Sequence, residues 1–291
     1  MSLAKRYSKE KIFFLPPVMI NSNSFGDMAL KILVTNDDGI HAEGLWALAK
    51  ELRDVGKVTV VAPDREQSGV GTSVTLHHPL RLKKVRSRLR GVRAYSIEGT
   101  PADSVILGFK FVMKDKVDLV VSGINEGPNL GNDVFISGTV GAALQGYCYG
   151  IPALAFSVGA FEDIHFEVAA RLARLLASEI SDKGLSHKLL LNVNLPNLPQ
   201  EKIEGIEITR LGEREYADKI EPGHDGRRHY YWIVHGHSEW NVSQGSDIWA
   251  LKQNKISITS LFGNPDRSVR HLLEGLTAGL SRKLLDPSFL K

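Results

Sequence analysis

Two acids stand side by side in this chain, Asp37 and Asp38, directly after the apolar run Ile32-Leu33-Val34. Like charges held close repel unless something neutralises them. A hard divalent cation with oxygen ligands does so. Ser68 and Asn125, which follow later apolar runs, would add neutral oxygen ligands. The competing reading is a helix N-cap, where one Asp contributes about 0.5–2 kcal/mol. Capping accounts for one Asp but not for two together with Asn36 and Gly39. On the pair alone, both readings stand.

A second group suits phosphate. Ser137-Gly138-Thr139 opens a predicted helix, and helix N-termini present N–H groups and positive potential to anions. The two hydroxyls and the Asn129 amide would add hydrogen bonds. Capping by Ser or Thr is again the local alternative. Gly123, Gly127, Gly131 and Gly138 would allow close backbone approach to a ligand. Other candidates carry less. His77-His78 and His235-Gly236-His237 lack HExxH spacing and read as structural or surface residues. The basic run Lys83, Lys84, Arg86, Arg88, Arg90 and Arg93 reads as a solvated strand-and-turn face, with polyanion attraction as the sharper option. Trp46 reads as core or cleft wall. Trp232, Trp240 and Trp249 suit interface packing better than base stacking. The single cysteine, Cys148, excludes an internal disulfide and a multi-cysteine zinc site, and is expected as a small core hydrophobe in a helix.

These residues need elements to position them. Ile32-Leu33-Val34 and Val58–Ala62 read as buried strands, with Leu45, Leu48, Ala49 and Leu52 at helical spacing between them. Strand, helix, strand at this spacing is a βαβ unit, hence a parallel sheet. Val117–Val121, Ala153–Val158 and Lys188–Val193 continue the strands, and helices are predicted at Thr139–Leu144 and Phe166–Ser178. Parallel sheets bind ligands at the carboxyl ends of their strands. Asn36–Gly39, Asp64–Gly69, Ser122–Asn132 and Ser137–Thr139 all fall at such ends. Further on, Ile206–Tyr216 and His229–Val234 are expected to pair as a hairpin with Asp225-Gly226 near its turn. Lys255–Leu261 reads as a strand, and Val269–Leu284 as an amphipathic helix.

The motifs resemble the SurE family of survival-protein nucleotidases. The resemblance rests on ILVTNDDG at Ile32–Gly39, VAPDREQSG at Val61–Gly69, GTPAD at Gly99–Asp103 and VSGINEGPNLGNDVFISGTVG at Val121–Gly141. Asn192–Leu195, Thr209–Gly212 and Ile256–Leu261 fit as well, so it spans about residues 30–265. It implies a metal held by Asp37, Asp38, Ser68 and Asn125, and a phosphate site lined by Asn129, Ser137 and Thr139, with Gly138 between them. It further implies hydrolysis of nucleoside 5′- and 3′-monophosphates, polyphosphate cleavage in some members, and Mg, Mn or Co as the ion. Dimers or tetramers that exchange C-terminal hairpins or helices are implied too. The chain departs from the family at Glu43, where many members have Pro, and at Val70–Ser73, which lacks a His often seen nearby.

The expectation is therefore an α/β, Rossmann-like core over 29–200, preceded by an extension over 1–28 and followed by an oligomerisation region over 201–291. The expected activity is metal-assisted phosphomonoester hydrolysis, with one divalent ion per subunit and Asp37, Asp38 and Asn125 as catalytic residues. Either Asp would accept a proton from water. Two rivals differ in kind. An aspartyl-nucleophile phosphatase would call for Asp-x-Asp, whereas these acids are adjacent; a nucleotide sensor would bind without turnover. Composition excludes little else. In 291 residues, Lys and Arg exceed Asp and Glu by only 36 to 33, so no nucleic-acid partner is expected. No apolar run approaches the ~20 residues that span a bilayer. The basic start does not read as a signal peptide, because Pro16-Pro17 interrupts the apolar stretch. Few cysteines and no span suggest a cytoplasmic protein.

Overall fold

The structure is a computed structural model that describes residues 29–182, 189–214, 218–235, 240–262 and Gly275. The first extension and the predicted final helix lie outside the described residues, Gly275 excepted.

Nine strands form the central sheet in the order β3-β4-β2-β1-β5-β6-β7-β13-β8. Side by side within it stand β2 (Gly56–Pro63), β1 (Leu30–Thr35) and β5 (Leu119–Glu126). β6 (Ala153–Val158) and β7 (Leu190–Leu195) extend the sheet on the β5 side. These five and β4 (Arg93–Ile97) run parallel. β3 (Leu82–Val85) closes one edge antiparallel. On the other side, β13 (Ile256–Ser260) runs antiparallel to β7, and β8 (Ile206–Thr209) pairs parallel with it. The Rossmann-like α/β expectation holds.

Strand alternation divides the core into two layers. Ile32, Val34, Val60, Leu119, Val121 and Phe156 face α1 (Glu43–Leu52) and α4 (Phe166–Asp182). Leu33, Val61, Val120, Ala153 and Ala155 face α2 (Pro101–Leu107) and α3 (Gly138–Cys148). The α3 layer is tight. A Cβ at Gly146 would lie 2.7 Å from Val120 Cγ2, so the helix is pressed onto the sheet. That proximity delivers the α3 N-terminus to the strand ends. Trp46 is buried, with its indole N–H donating to the Ile40 carbonyl at 2.8 Å, which makes it core.

Some expectations change. Among the described residues His229–Val234 pairs with a later segment than Ile206–Tyr216: the hairpin joins β10 (Asp218–His224) to β11 (His229–His235), around the expected Asp225-Gly226 turn. Cross-strand contact with β13 draws Ile206–Thr209 into the main sheet instead. The two-residue strands β9 (Glu213–Arg214) and β12 (Trp240–Asn241) pair separately. Cys148 is exposed rather than core, because it sits in the last turn of α3. GTPAD proves to be a helix start. The Thr100 hydroxyl accepts from Asp103 N–H at 3.1 Å, Asp103 accepts from Thr100 N–H at 2.9 Å, and Pro101 opens α2. Among the described residues, no helix is long and apolar enough to cross a membrane.

Candidate active site at the carboxyl edge of the sheet

From β1 the chain goes to one side, through α1 to β2, while β5 lies on the other. The strand order reverses here, and open α/β sheets bind ligands in the crevice such a reversal leaves. Asp37 and Asp38 follow β1, and Asn125 is near the end of β5. The β5–β6 register shifts between Ser122 and Asn125, so β5 carries an irregularity where its polar residues begin.

Asp37 is buried and bound to the start of α3. It accepts hydrogen bonds from the hydroxyl and the backbone N–H of Thr139. The capping alternative is thus partly realised, but for α3, at Thr139, 102 positions further along the chain, and not for α1, whose N-cap is Ala42. Gly138 leaves room for this contact, since a Cβ there would stand 2.8 Å from Asp37 Cβ and 2.9 Å from Oδ2. Burial raises the Asp37 pKa above the usual carboxylate range, against the lowering effect of the Thr139 hydrogen bonds. Asp38 is pushed up to about 8, first by burial and then by the charges of Asp37, Glu126 and Glu66. Its Oδ2 is buried and has no hydrogen-bond partner. An unpartnered carboxylate oxygen beside a second acid is a site that wants positive charge.

Asn125 donates through Nδ2 to the Gly127 carbonyl at 2.8 Å. That fixes its carboxamide oxygen toward Thr139, whose hydroxyl lies 3.3 Å away. Asn125 Oδ1 therefore shares a pocket with the Asp37 carboxylate. Ser68 is exposed at the rim, its hydroxyl donating to Glu66 at 2.8 Å. The Ser137 hydroxyl caps α3 by accepting from Val140 N–H at 3.1 Å. Asn129 is held from two strands, β6 and β7. Its Nδ2 donates to Ser157 Oγ at 2.8 Å, its N–H to Asn194 Oδ1 at 2.9 Å, and its carbonyl accepts from Asn192 at 2.8 Å.

Asp37, Ser68, Asn125, Asn129 and Ser137 line one cleft of about 210 Å³. Thr139 and Gly138 adjoin it through Asp37. Asp38 is next to Asp37 in the chain and does not itself line that volume. Glu126, Asp133, Ile136 and Phe161 also line the cleft, and the motif reading assigned them no role. Nor did it assign one to Asp247, a fully buried acid outside the cleft at the start of α5 (Asp247–Lys252). It accepts 2.8 Å hydrogen bonds from the N–H groups of Gly131, Gly212 and Ile248, which ties the Asn129–Gly131 loop to distant chain. Adjacent acids were visible in sequence; a single Asp clamping two loops to its own helix start leaves no spacing signature. His77 and His78 are exposed away from this cleft, and among the described residues no group of three or more His, Cys, Asp or Glu converges.

Comparisons with known proteins show what this chain is similar to. A model of the family described as survival protein SurE matches residues 32–218. A 5′-nucleotidase SurE of Dehalococcoides mccartyi is 46% identical over 254 residues, covering 86% of this chain and 96% of that protein. The 5′-nucleotidase SurE of Vibrio parahaemolyticus is 43% identical over 241 residues, or 82% of this chain and 91% of its own. In structure, the chain resembles the crystal structure of the Sure protein from Aquifex aeolicus, with a TM-score of 0.68 and 39% identity, covering 84% of this chain and 99% of that one.

Proposed function

Because this chain belongs to the SurE family, we propose that it is a 5′-nucleotidase, a metal-dependent phosphatase that releases phosphate from nucleoside 5′-monophosphates, and from 3′-monophosphates, at the cleft between β1 and β5. Polyphosphate is a side substrate in this reading. The observation that carries it is the meeting of two crowded acids, one with an unpartnered buried oxygen, with the N-terminus of α3.

The donor set fits a hard divalent cation. Asp37 and Asp38 supply carboxylate oxygens, Asn125 a carboxamide oxygen already aimed inward, and Ser68 a hydroxyl at the rim. One Mg, Mn or Co ion per subunit would be held there, supplying positive charge that polarises the phosphoryl oxygens and acidifies water. The protein's own groups do the rest. Asn129, locked by Asn192, Asn194 and Ser157, presents a preorganised amide to the phosphate. The Ser137 hydroxyl and the first turn of α3, Gly138 included, stabilise charge on the transferring group at no cost in reorganisation, while Thr139, whose hydroxyl proton goes to Asp37, holds that acid in place beside the phosphate. Asp38 Oδ2 receives the proton of the attacking water, since Asp37 is engaged by Thr139. No phosphoenzyme is needed.

The same reading makes the protein a cytoplasmic homodimer or homotetramer. The β10–β11 hairpin supports assembly: Ile220, Tyr231, Trp232 and Ile233 are all more than half exposed on it, an apolar surface that a partner subunit would cover. A phosphate-release screen over a nucleotide panel, run with each metal and with chelator, tests the function. Release that depends on metal is expected. Release that survives chelation would refute the metal mechanism, and binding without release would leave a sensor.

A further inference from the structure

We propose that Phe161 is the platform on which the nucleotide base stacks, so that this residue sets the preference for base-bearing phosphomonoesters over baseless ones. The inference rests on the phosphatase reading above and deepens it. Phe161 stands three positions beyond β6, in the connection to α4, and lines the same cleft as Asp37, Asn125, Asn129 and Ser137. Its ring is seated against the loop that carries the phosphate-site residues. A Cβ at Gly127 would come within 2.4 Å of Phe161 Cε1 and 2.8 Å of Cζ, so this ring position requires glycine between Asn125 and Asn129. Gly127 also holds φ +104, a conformation that L side chains rarely adopt. The chain thus spends a glycine on placing an aromatic ring at the cleft.

The ring is not there for the core. Phe161 is 74% exposed, the highest fraction among the exposed large apolar side chains of the described residues. Burying so little of a phenyl ring contributes little to folding, since hydrophobic stabilisation scales with area removed from water. What the ring offers is an apolar face at the mouth of a polar cleft. Ile136, 45% exposed, and Pro128 line the same cleft. Asp37, Asn125, Asn129 and Ser137 make a polar region suited to phosphate and cation, and Phe161, Ile136 and Pro128 make an apolar one. A ligand charged throughout, such as polyphosphate, gains nothing from the apolar region. A nucleoside monophosphate has the matching polarity, with an anion at one end and a flat base at the other. Every base has a π-face, so stacking on one ring favours nucleotides without selecting strongly among bases.

The experiment compares wild type, Phe161→Ala and Phe161→Trp on AMP and on ribose 5-phosphate, which keeps the sugar and phosphate and lacks the base. Phe161→Ala should lower kcat/KM for AMP on the order of 5- to 100-fold, mainly through KM, the range that loss of one stacking contact gives. It should leave ribose 5-phosphate within about twofold, and Phe161→Trp should restore AMP. Adenosine titrated into the protein by calorimetry gives a readout without turnover, and its affinity should fall in Phe161→Ala. An equal fall on both substrates, or no fall on AMP and equal adenosine affinity, would overturn the assignment and leave the ring a structural or subunit contact. If wild type hydrolyses neither substrate, the phosphatase reading itself has failed, which is seen before any variant is compared.

Discussion

Asp38→Asn removes one charge and keeps the shape of the side chain, so it separates the electrostatic cost of this site from its packing. In the metal-free protein the Asp38 pKa is raised from 3.8 to about 8, with burial as the first cause. A carboxyl whose folded pKa lies above its unfolded value contributes stability at low pH and loses it as pH rises through the folded value. Wild type in chelator should therefore lose stability from about pH 4 to about pH 8. At pH 7 the charge has cost roughly three pH units at about 1.4 kcal/mol each, a ceiling of about 4 kcal/mol. Asn carries no such cost, so the variant should melt several degrees higher at pH 7 to 8 in chelator and about equally near pH 4. Metal should reverse the order. Wild type gains Tm with added Mg or Mn, more at pH 8 than at pH 6 because fewer protons are displaced, whereas the variant should gain little. Turnover should fall by orders of magnitude. Thermal melts across pH, with and without metal, give the answer. A variant less stable than wild type at pH 8 in chelator, or one with the wild-type metal shift, would refute the argument.

Other parts of the site give sharper local tests. Ser137→Ala removes the α3 cap and should cost about 0.5–2 kcal/mol in urea unfolding, while Thr139→Ala, which frees Asp37, should lower kcat by up to about 10²–10³. Unchanged kcat in Thr139→Ala would remove that residue from the mechanism. Asp247→Ala strands the N–H groups of Gly131, Gly212 and Ile248. It should cost on the order of 3 kcal/mol or more and weaken turnover through the Asn129 loop, with Asp247→Asn milder. Equal stability of Asp247→Ala and wild type in urea would show that the clamp holds nothing. Replacing Trp232 and Ile233 together by Asp should shrink the assembly in light scattering, and an unchanged mass would place the interface elsewhere.

The chain states its local structure plainly. Ile32–Val34, Val58–Ala62 and Val117–Val121 are apolar runs too short for helices and bounded by turn residues, so the parallel sheet follows from periodicity, and the acids at its edge follow from adjacency. The SurE motifs carried the family for the same reason, since each is one continuous stretch of chain. What the sequence left open were choices between chemically similar options. GTPAD entered only as a stretch carrying the resemblance and is a capping box, because only folded geometry shows Asp103 answering Thr100. The hairpin partner of β11 was open because several strands carry similar alternation, and β13 decided it by taking β8. Cys148 looked buried among apolar neighbours, and the rotation of the last α3 turn turned it outward. Asp37 looked like a cap for the helix that follows it, and tertiary packing gave it to α3 across 102 residues. Asp247 reaches Gly131 across 116 positions, and Phe161 reaches Gly127 only because β6 lies beside β5. Contacts of that span have no period to read: they depend on how layers pack, and packing is settled by the whole chain at once.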